Sequence, residues 1–104
     1  MAEYEGYYAS IFYCYFTALG LHTRPEELTS HGRLDMSVLM DNAIIVFEFK
    51  VVDIFKDENA ALAQVKAKGY HNKYLGQGKP VYLVGVEFHA EKRNVERVEW
   101  EEAK

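Results

Sequence analysis

The stretch GRLDMSVLMDNAIIVFEFKVV, Gly32 to Val52, decides how this chain folds. From Arg33 to Met40 apolar and polar residues alternate: Leu34, Met36, Val38 and Met40 fall on one side and Arg33, Asp35 and Ser37 on the other, the period of a strand with a polar face. Asp41-Asn42 is a tight-turn pair, and Ala43 to Val52 is rich in β-branched and aromatic residues, which marks a central strand. The two segments are expected to form an antiparallel hairpin. Side chains two apart in a strand share a face, so Glu48 and Lys50 point the same way. The turn brings the strand carrying Asp35 beside them.

Working outward, Tyr4 to Leu19 sets Tyr8, Ile11, Tyr15 and Leu19 at helical spacing, with Gly20 as the C-terminal stop. Tyr7, Phe12, Tyr13 and Phe16 leave that helix little polar surface, so it is expected to be covered on more than one side. His22 to Ser30 reads either as loop, from Pro25 and the Glu26-Glu27 pair, or as a short edge strand entering Leu28 and Thr29. Asp57 is the candidate N-cap of a helix from about Glu58 to Leu75, with Leu62, Val65 and Tyr70 among its apolar residues and Gly69 weakening it without ending it. Gly76 to Pro80 is a loop, Val81 to Phe88 a second strongly apolar strand, and Ala90 to Asn94 a turn into Val95 to Trp100. A helix between two apolar strands implies a right-handed crossover and a parallel pair at the sheet centre. The order α-β-β-β-α-β-β thus predicts an α/β fold, a mixed central β-sheet flanked by helices, in a single domain over residues 1–104.

Size and composition narrow the classes. A chain of 104 residues with 49% hydrophobic residues can bury one core and has no disordered signature. The longest strongly apolar run, Ala43 to Phe49, is far below the ~20 residues of a membrane span, and the N-terminal region has neither a basic start nor a cleavage site. A soluble cytoplasmic protein without membrane contact is expected. Cys14, the sole cysteine, excludes an intrachain disulfide and reads as a small buried apolar residue. A net charge of -4 disfavours broad nonspecific nucleic-acid binding but permits a local groove. Indeed Lys50, Lys56, Lys66, Lys68, Lys73 and Lys79 lie mid-chain, whereas Glu96, Glu99, Glu101 and Glu102 crowd the C-terminal end. The histidines lack ligand-pair spacing, which argues against structural zinc. His31 and His71 are surface residues or phosphate contacts.

Asp35, Glu48 and the backbone carbonyl of Phe49 would offer hard oxygen ligands to Mg²⁺, with Mn²⁺ as a substitute. Such an ion lowers the pKa of a coordinated water and neutralises charge on phosphoryl oxygens, the requirements of phosphodiester hydrolysis, with one or two ions equally compatible. Lys50 would orient the attacking water or stabilise developing charge. The plainer alternative is an ion pair between Glu48 and Lys50 on a solvated face. The apolar run ahead of Glu48 weighs against it, because a buried carboxylate needs a partner or a metal.

Together, Glu5-Gly6-Tyr7-Tyr8, Gly32-Arg33-Leu34-Asp35, Glu48-Phe49-Lys50 and the spacing of Gln64 to Tyr70 resemble the PD-(D/E)XK nuclease superfamily over nearly the whole chain. The likeness is to the nuclease domain commonly found after a bacterial AAA-ATPase-like domain. It implies a restriction-endonuclease-like core, a Mg²⁺-dependent phosphodiesterase acting on nucleic acid, chiefly DNA, and an AAA-ATPase-like partner domain in a longer parent protein. It further implies that Asp35 and Glu48 are metal ligands, Lys50 the catalytic lysine, Glu5 a supporting acid from the first helix, and Gln64 a polar contact from the second. Arg33, Lys66 and Tyr70 are the expected substrate contacts. For Glu5 an exposed acid in the first helical turn is the alternative, and for Tyr70 core packing. Leu34 stands where the family's motif usually has proline. A noncatalytic binding or assembly module keeping the same fold is the rival function. The aromatic helix and apolar Val81 to Trp100 further suggest a homodimer.

Overall fold

The computed structural model describes residues 2–28, 34–52, 60–89 and 95–103. The hairpin forms where the alternation puts it. Strand β2 (Leu34–Leu39) pairs antiparallel with β3 (Ile44–Val52), Leu39 opposite Ile44 and Met36 opposite Phe47. Met40 N–H donates to the Ala43 carbonyl at 2.9 Å, closing the turn around Asp41-Asn42. The ambiguous segment before it is strand β1 (His22–Leu28), antiparallel to β2 with a bulge between Pro25 and Glu27. Because β1 is an edge, proline costs the sheet no central ladder bond.

Beyond β3 come helix α2 (Ala60–Lys68), a 3₁₀ segment (Tyr70–Tyr74), β4 (Val81–His89) and β5 (Val95–Ala103). β4 lies parallel to β3, Val46 beside Leu83, and β5 returns antiparallel to β4. The sheet order is therefore β1-β2-β3-β4-β5, a mixed five-stranded sheet with helices, the α/β class expected. The acidic C-terminal run is a strand whose Glu99 and Glu101 pair with Arg97 and with Lys66 on α2.

Period-2 alternation splits the sheet into two faces. On one, Met36, Phe49, Val86 and Phe88 pack beneath helix α1 (Ala2–Ala18), where Phe12 lies 5.2 Å from Phe49 and Phe16 5.5 Å from Phe47, ring centroid to centroid. On the other, Ile44, Val46, Val81 and Leu83 pack against Val65 of α2 and Tyr74. α1 ends in a full Schellman motif: Leu21 N–H reaches the Phe16 carbonyl, Gly20 N–H the Thr17 carbonyl, and Gly20 takes φ 83.

Three expectations are corrected. The stripe of α1 that meets the sheet is Phe12 and Phe16, while Ile11, Tyr15 and Leu19 are 48%, 61% and 59% exposed. A helix aromatic on every side gives its periodicity no unique phase, and ring packing against Phe47, Phe49 and Phe88 chooses. Gly69 ends α2 rather than weakening it, because it adopts the left-handed conformation (φ 71, ψ 16) that no α-helix can continue through. Cys14 is exposed, not buried, on the solvent side of α1. Asp57 and Glu58 lie outside the described residues. Among those described, no helix is long and apolar enough to cross a membrane.

Gly85 sets how closely α2 approaches. A Cβ there would stand 2.3 Å from the Leu62 amide nitrogen and 2.8 Å from Ala61 C and Leu62 Cα, all backbone atoms. We therefore expect Gly85→Ala to lower stability by at least the ~1–3 kcal/mol of ordinary overpacking, since a backbone cannot swing aside as a side chain can. Urea denaturation monitored by circular dichroism measures this, and an unchanged midpoint would contradict the close approach.

Candidate functional site

With α2 lying close, the polar residues of the sheet's α2 face come into register beneath it. One step beyond the Met36–Phe47 pair on each strand are Asp35 and Glu48, 1% and 0% exposed. The cation between them comes from the helix. Ala61, Val65 and Lys68 follow one another at i, i+4 and i+7, so the stripe that buries Ala61 and Val65 carries Lys68 onto the acids. Its ammonium donates to Asp35 Oδ2 at 2.7 Å and to Glu48 Oε1 and Oε2 at 2.9 and 3.2 Å. Burial pushes the Lys68 ammonium down, but its hydrogen bonds to Asp35 and Glu48 and their charge outweigh that and raise it above its usual range. Lys68 stays a cation.

The other expected residues are spread more widely. Lys50 is half-buried on the face of Glu48, beside Glu87 in the parallel ladder. The Phe49 ring turns to the opposite, aromatic face, leaving only its backbone to the site's strand. Gln64 is half-buried on α2, one turn before Lys68. Tyr70 is not on α2; Gly69 diverts the chain, and Tyr70 opens the 3₁₀ segment and packs against the Val65 core. Lys66 points away from the acids, exposed and 3.1 Å from Glu101 on β5. His71 is half-buried in the 3₁₀ segment, its Nδ1 buried without a hydrogen-bond partner. Arg33, Gly32 and His31 lie outside the described residues, as does the side chain of Glu5.

Two further acids flank this pair, and neither was among the expected site residues. Glu87, 1% exposed on β4, accepts from the Ala61 N–H at 3.0 Å and pairs with Arg97, so it ties down the N-terminal turn of α2. A charged residue inside the apolar run Val81 to Phe88 was its signal, the same signal that singled out Glu48. Glu26 on β1 accepts from Ser37 Oγ at 2.6 Å, from the Tyr74 hydroxyl and from Lys73, locking the 3₁₀ segment to β1 and β2. Its side chain is 2% exposed.

The donor set suits a hard divalent cation. Asp35 and Glu48 supply carboxylate oxygens, and Asp35 Oδ1 is buried with no hydrogen-bond partner, a free lone-pair site that burial would otherwise make costly. Among the described residues no group of three or more His, Cys, Asp or Glu gathers at one point. Among the described residues, Asp35 and Glu48 are the carboxylates that meet at this point, an oxygen donor pair of the kind that hard divalent cations use.

Two buried carboxylates on adjacent strands of a mixed sheet, joined by one ammonium from the helix above, form the candidate site. The family model of the PD-(D/E)XK nuclease superfamily matches residues 3–98, and the chain belongs to that superfamily. It is 53% identical over 95 residues, 91% of its length, to an uncharacterized protein in the vnfD 5′ region of Azotobacter chroococcum, and it spans 18% of that relative. No solved structure matches it.

The Glu26 cluster generates a pH prediction. Burial alone raises the Glu26 carboxyl, yet the donors Lys73, Ser37 and Tyr74 and the Lys73 charge outweigh it and hold it below the ordinary 4.5. A depressed folded pKa contributes stability that is complete above the unfolded value and lost as pH falls through the folded one. Glu26→Gln should cost about 1.5–3 kcal/mol at pH 7, the range for hydrogen bonds to a charged group. That cost should shrink as pH drops below 4.5, read from urea midpoints of both proteins across the range. A pH-independent difference would contradict the assignment.

Proposed function

We propose that this chain is a metal-dependent nuclease domain that hydrolyses phosphodiester bonds, with DNA as substrate. The observation carrying this reading is the pair Asp35 and Glu48, buried on adjacent strands against one ammonium, with Asp35 Oδ1 open, in a chain of the PD-(D/E)XK superfamily. In this reading Asp35, Glu48 and the Phe49 carbonyl would hold Mg²⁺, or Mn²⁺ in its place. The ion would supply an acidified water and neutralise charge on the phosphoryl oxygens. Lys50, two residues beyond Glu48 on the same face, steadies the nucleophilic water and the charge that builds on phosphate. Gln64, from the helix above, holds a substrate oxygen. Glu5 serves as a supporting acid and Arg33 as a substrate contact, with Lys66 and Tyr70 as further contacts to the substrate. An AAA-ATPase-like domain delivers that substrate, and the setting is the cytoplasm.

One observation favours a noncatalytic module instead: Lys68 already neutralises much of the acid pair. Cleavage of labelled single-stranded, duplex and branched DNA in Mg²⁺ or Mn²⁺ separates the two. We expect metal-dependent cutting that disappears in Glu48→Ala and falls about 10²–10³-fold in Lys50→Ala, the usual loss of a charge-stabilising donor. Full activity in Lys50→Ala would remove that residue from the mechanism, and no cutting on any substrate by folded protein would favour the module.

The homodimer belongs to the same reading. Ile11, Tyr15 and Leu19 on α1, and Val98 and Trp100 (54% and 64% exposed) on β5, are the apolar surface it would cover. Light scattering should give twice the 12.0 kDa chain mass, and a monomer mass at every concentration would exclude it.

A further inference from the structure

Lys68 stands where a metal would. Its nitrogen bridges Asp35 Oδ2 and both oxygens of Glu48 at 2.7 to 3.2 Å. Mg²⁺ bonded to those carboxylates at ~2.0–2.1 Å would need the same oxygen lone pairs that the ammonium now occupies, so the ammonium must give up those contacts. The means of departure are visible. Lys68 is the last residue of α2, followed at once by left-handed Gly69, and its side chain retains 24% exposure on a flexible four-carbon stem. Asp35 Oδ1, buried and without a hydrogen-bond partner, is the acid oxygen that the ammonium leaves unserved.

From this arrangement we infer that Lys68 is a built-in competitor of the metal, holding Asp35 and Glu48 together in the metal-free protein and leaving them when a divalent ion binds. The inference rests on the metal reading of Asp35 and Glu48 and adds a positioning residue to it. Lys68 allows the sheet to fold with two acids buried side by side before any metal arrives. It also sets the metal affinity, since each binding event must first break the hydrogen bonds of the ammonium. The released ammonium stays tethered at the rim of the site, a cation available to a substrate phosphate.

Two measurements test this, neither of them activity. In calorimetric titration with Mn²⁺, Lys68→Met should bind about 10- to 100-fold more tightly than wild type, the scale on which groups adjoining metal ligands change affinity. Its melting temperature without metal should fall, and Mn²⁺ should restore it. Lys68→Gln serves the same comparison if the methionine variant does not fold. In the wild-type protein, Lys68 acylation by an N-hydroxysuccinimide ester, mapped by mass spectrometry, should rise several-fold at saturating Mn²⁺ while that of exposed Lys79 stays constant. Equal or weaker binding in a folded variant, or Lys68 labelling unchanged at saturation, overturns the competitor role while leaving the metal site standing. Absence of Mn²⁺ binding in wild type and variant alike overturns the metal reading and this inference with it.

Discussion

Two carboxylates sealed from solvent on neighbouring strands, with one ammonium within 3.2 Å of both, set the terms on which this sheet is stable. Each buried charge forfeits several kcal/mol of hydration even after relaxation, and the pair repel one another unless a cation lies between them. Most of the polar architecture can be understood as delivering that cation. Gly85 lets α2 rest its backbone on β4, Glu87 anchors the first turn of the helix, Ala61 and Val65 fix its rotation, and Gly69 ends it directly after Lys68.

The Glu26 cluster does for the 3₁₀ segment what Glu87 does for the helix. One buried carboxylate collects Ser37, Lys73 and Tyr74 and so joins β1, β2 and the chain after Gly69 at one point. Ser37 sits two residues from Asp35 on the same face of β2, so the network that secures the segment also stiffens the strand carrying the candidate ligand. The α2 face thus combines apolar packing with buried acids, and Glu26, Glu48 and Glu87 each have a hydrogen-bonded partner there.

Much of this was legible in the residues. Alternation from Leu34 to Val38 and the Asp41-Asn42 pair specify a hairpin and its faces, because a one-residue slip would exchange the residues of the two faces. The parallel pairing of β3 with β4 followed from a helix lying between two apolar runs. The rotation of α1 was not legible, since aromatic residues surround it, nor was the stop at Gly69, which depends on a backbone angle. Lys68 read only as one of several mid-chain lysines. Its spacing from Ala61 and Val65 was available, but the importance of that stripe depends on knowing which part of the sheet the helix crosses. Glu26 belonged to a segment that read equally as loop or strand, and only the strand buries it.

The two rims of the sheet differ in a way that bears on how these molecules behave in a crowd. At the β1 rim, Pro25 withholds an amide hydrogen and the adjoining bulge breaks the even spacing that a docking strand would need. The β5 rim has its own irregularity, where the register with β4 shifts between Arg97 and Val95, and it carries Glu99, Glu101 and Glu102, so a second copy laid against it would set glutamates against glutamates. Growth of the sheet from molecule to molecule, the first step toward a fibril, is opposed by a missing donor on one side and by charge on the other. The protein therefore carries its own protection against templated aggregation, although its strands are rich in the β-branched and aromatic residues that favour it.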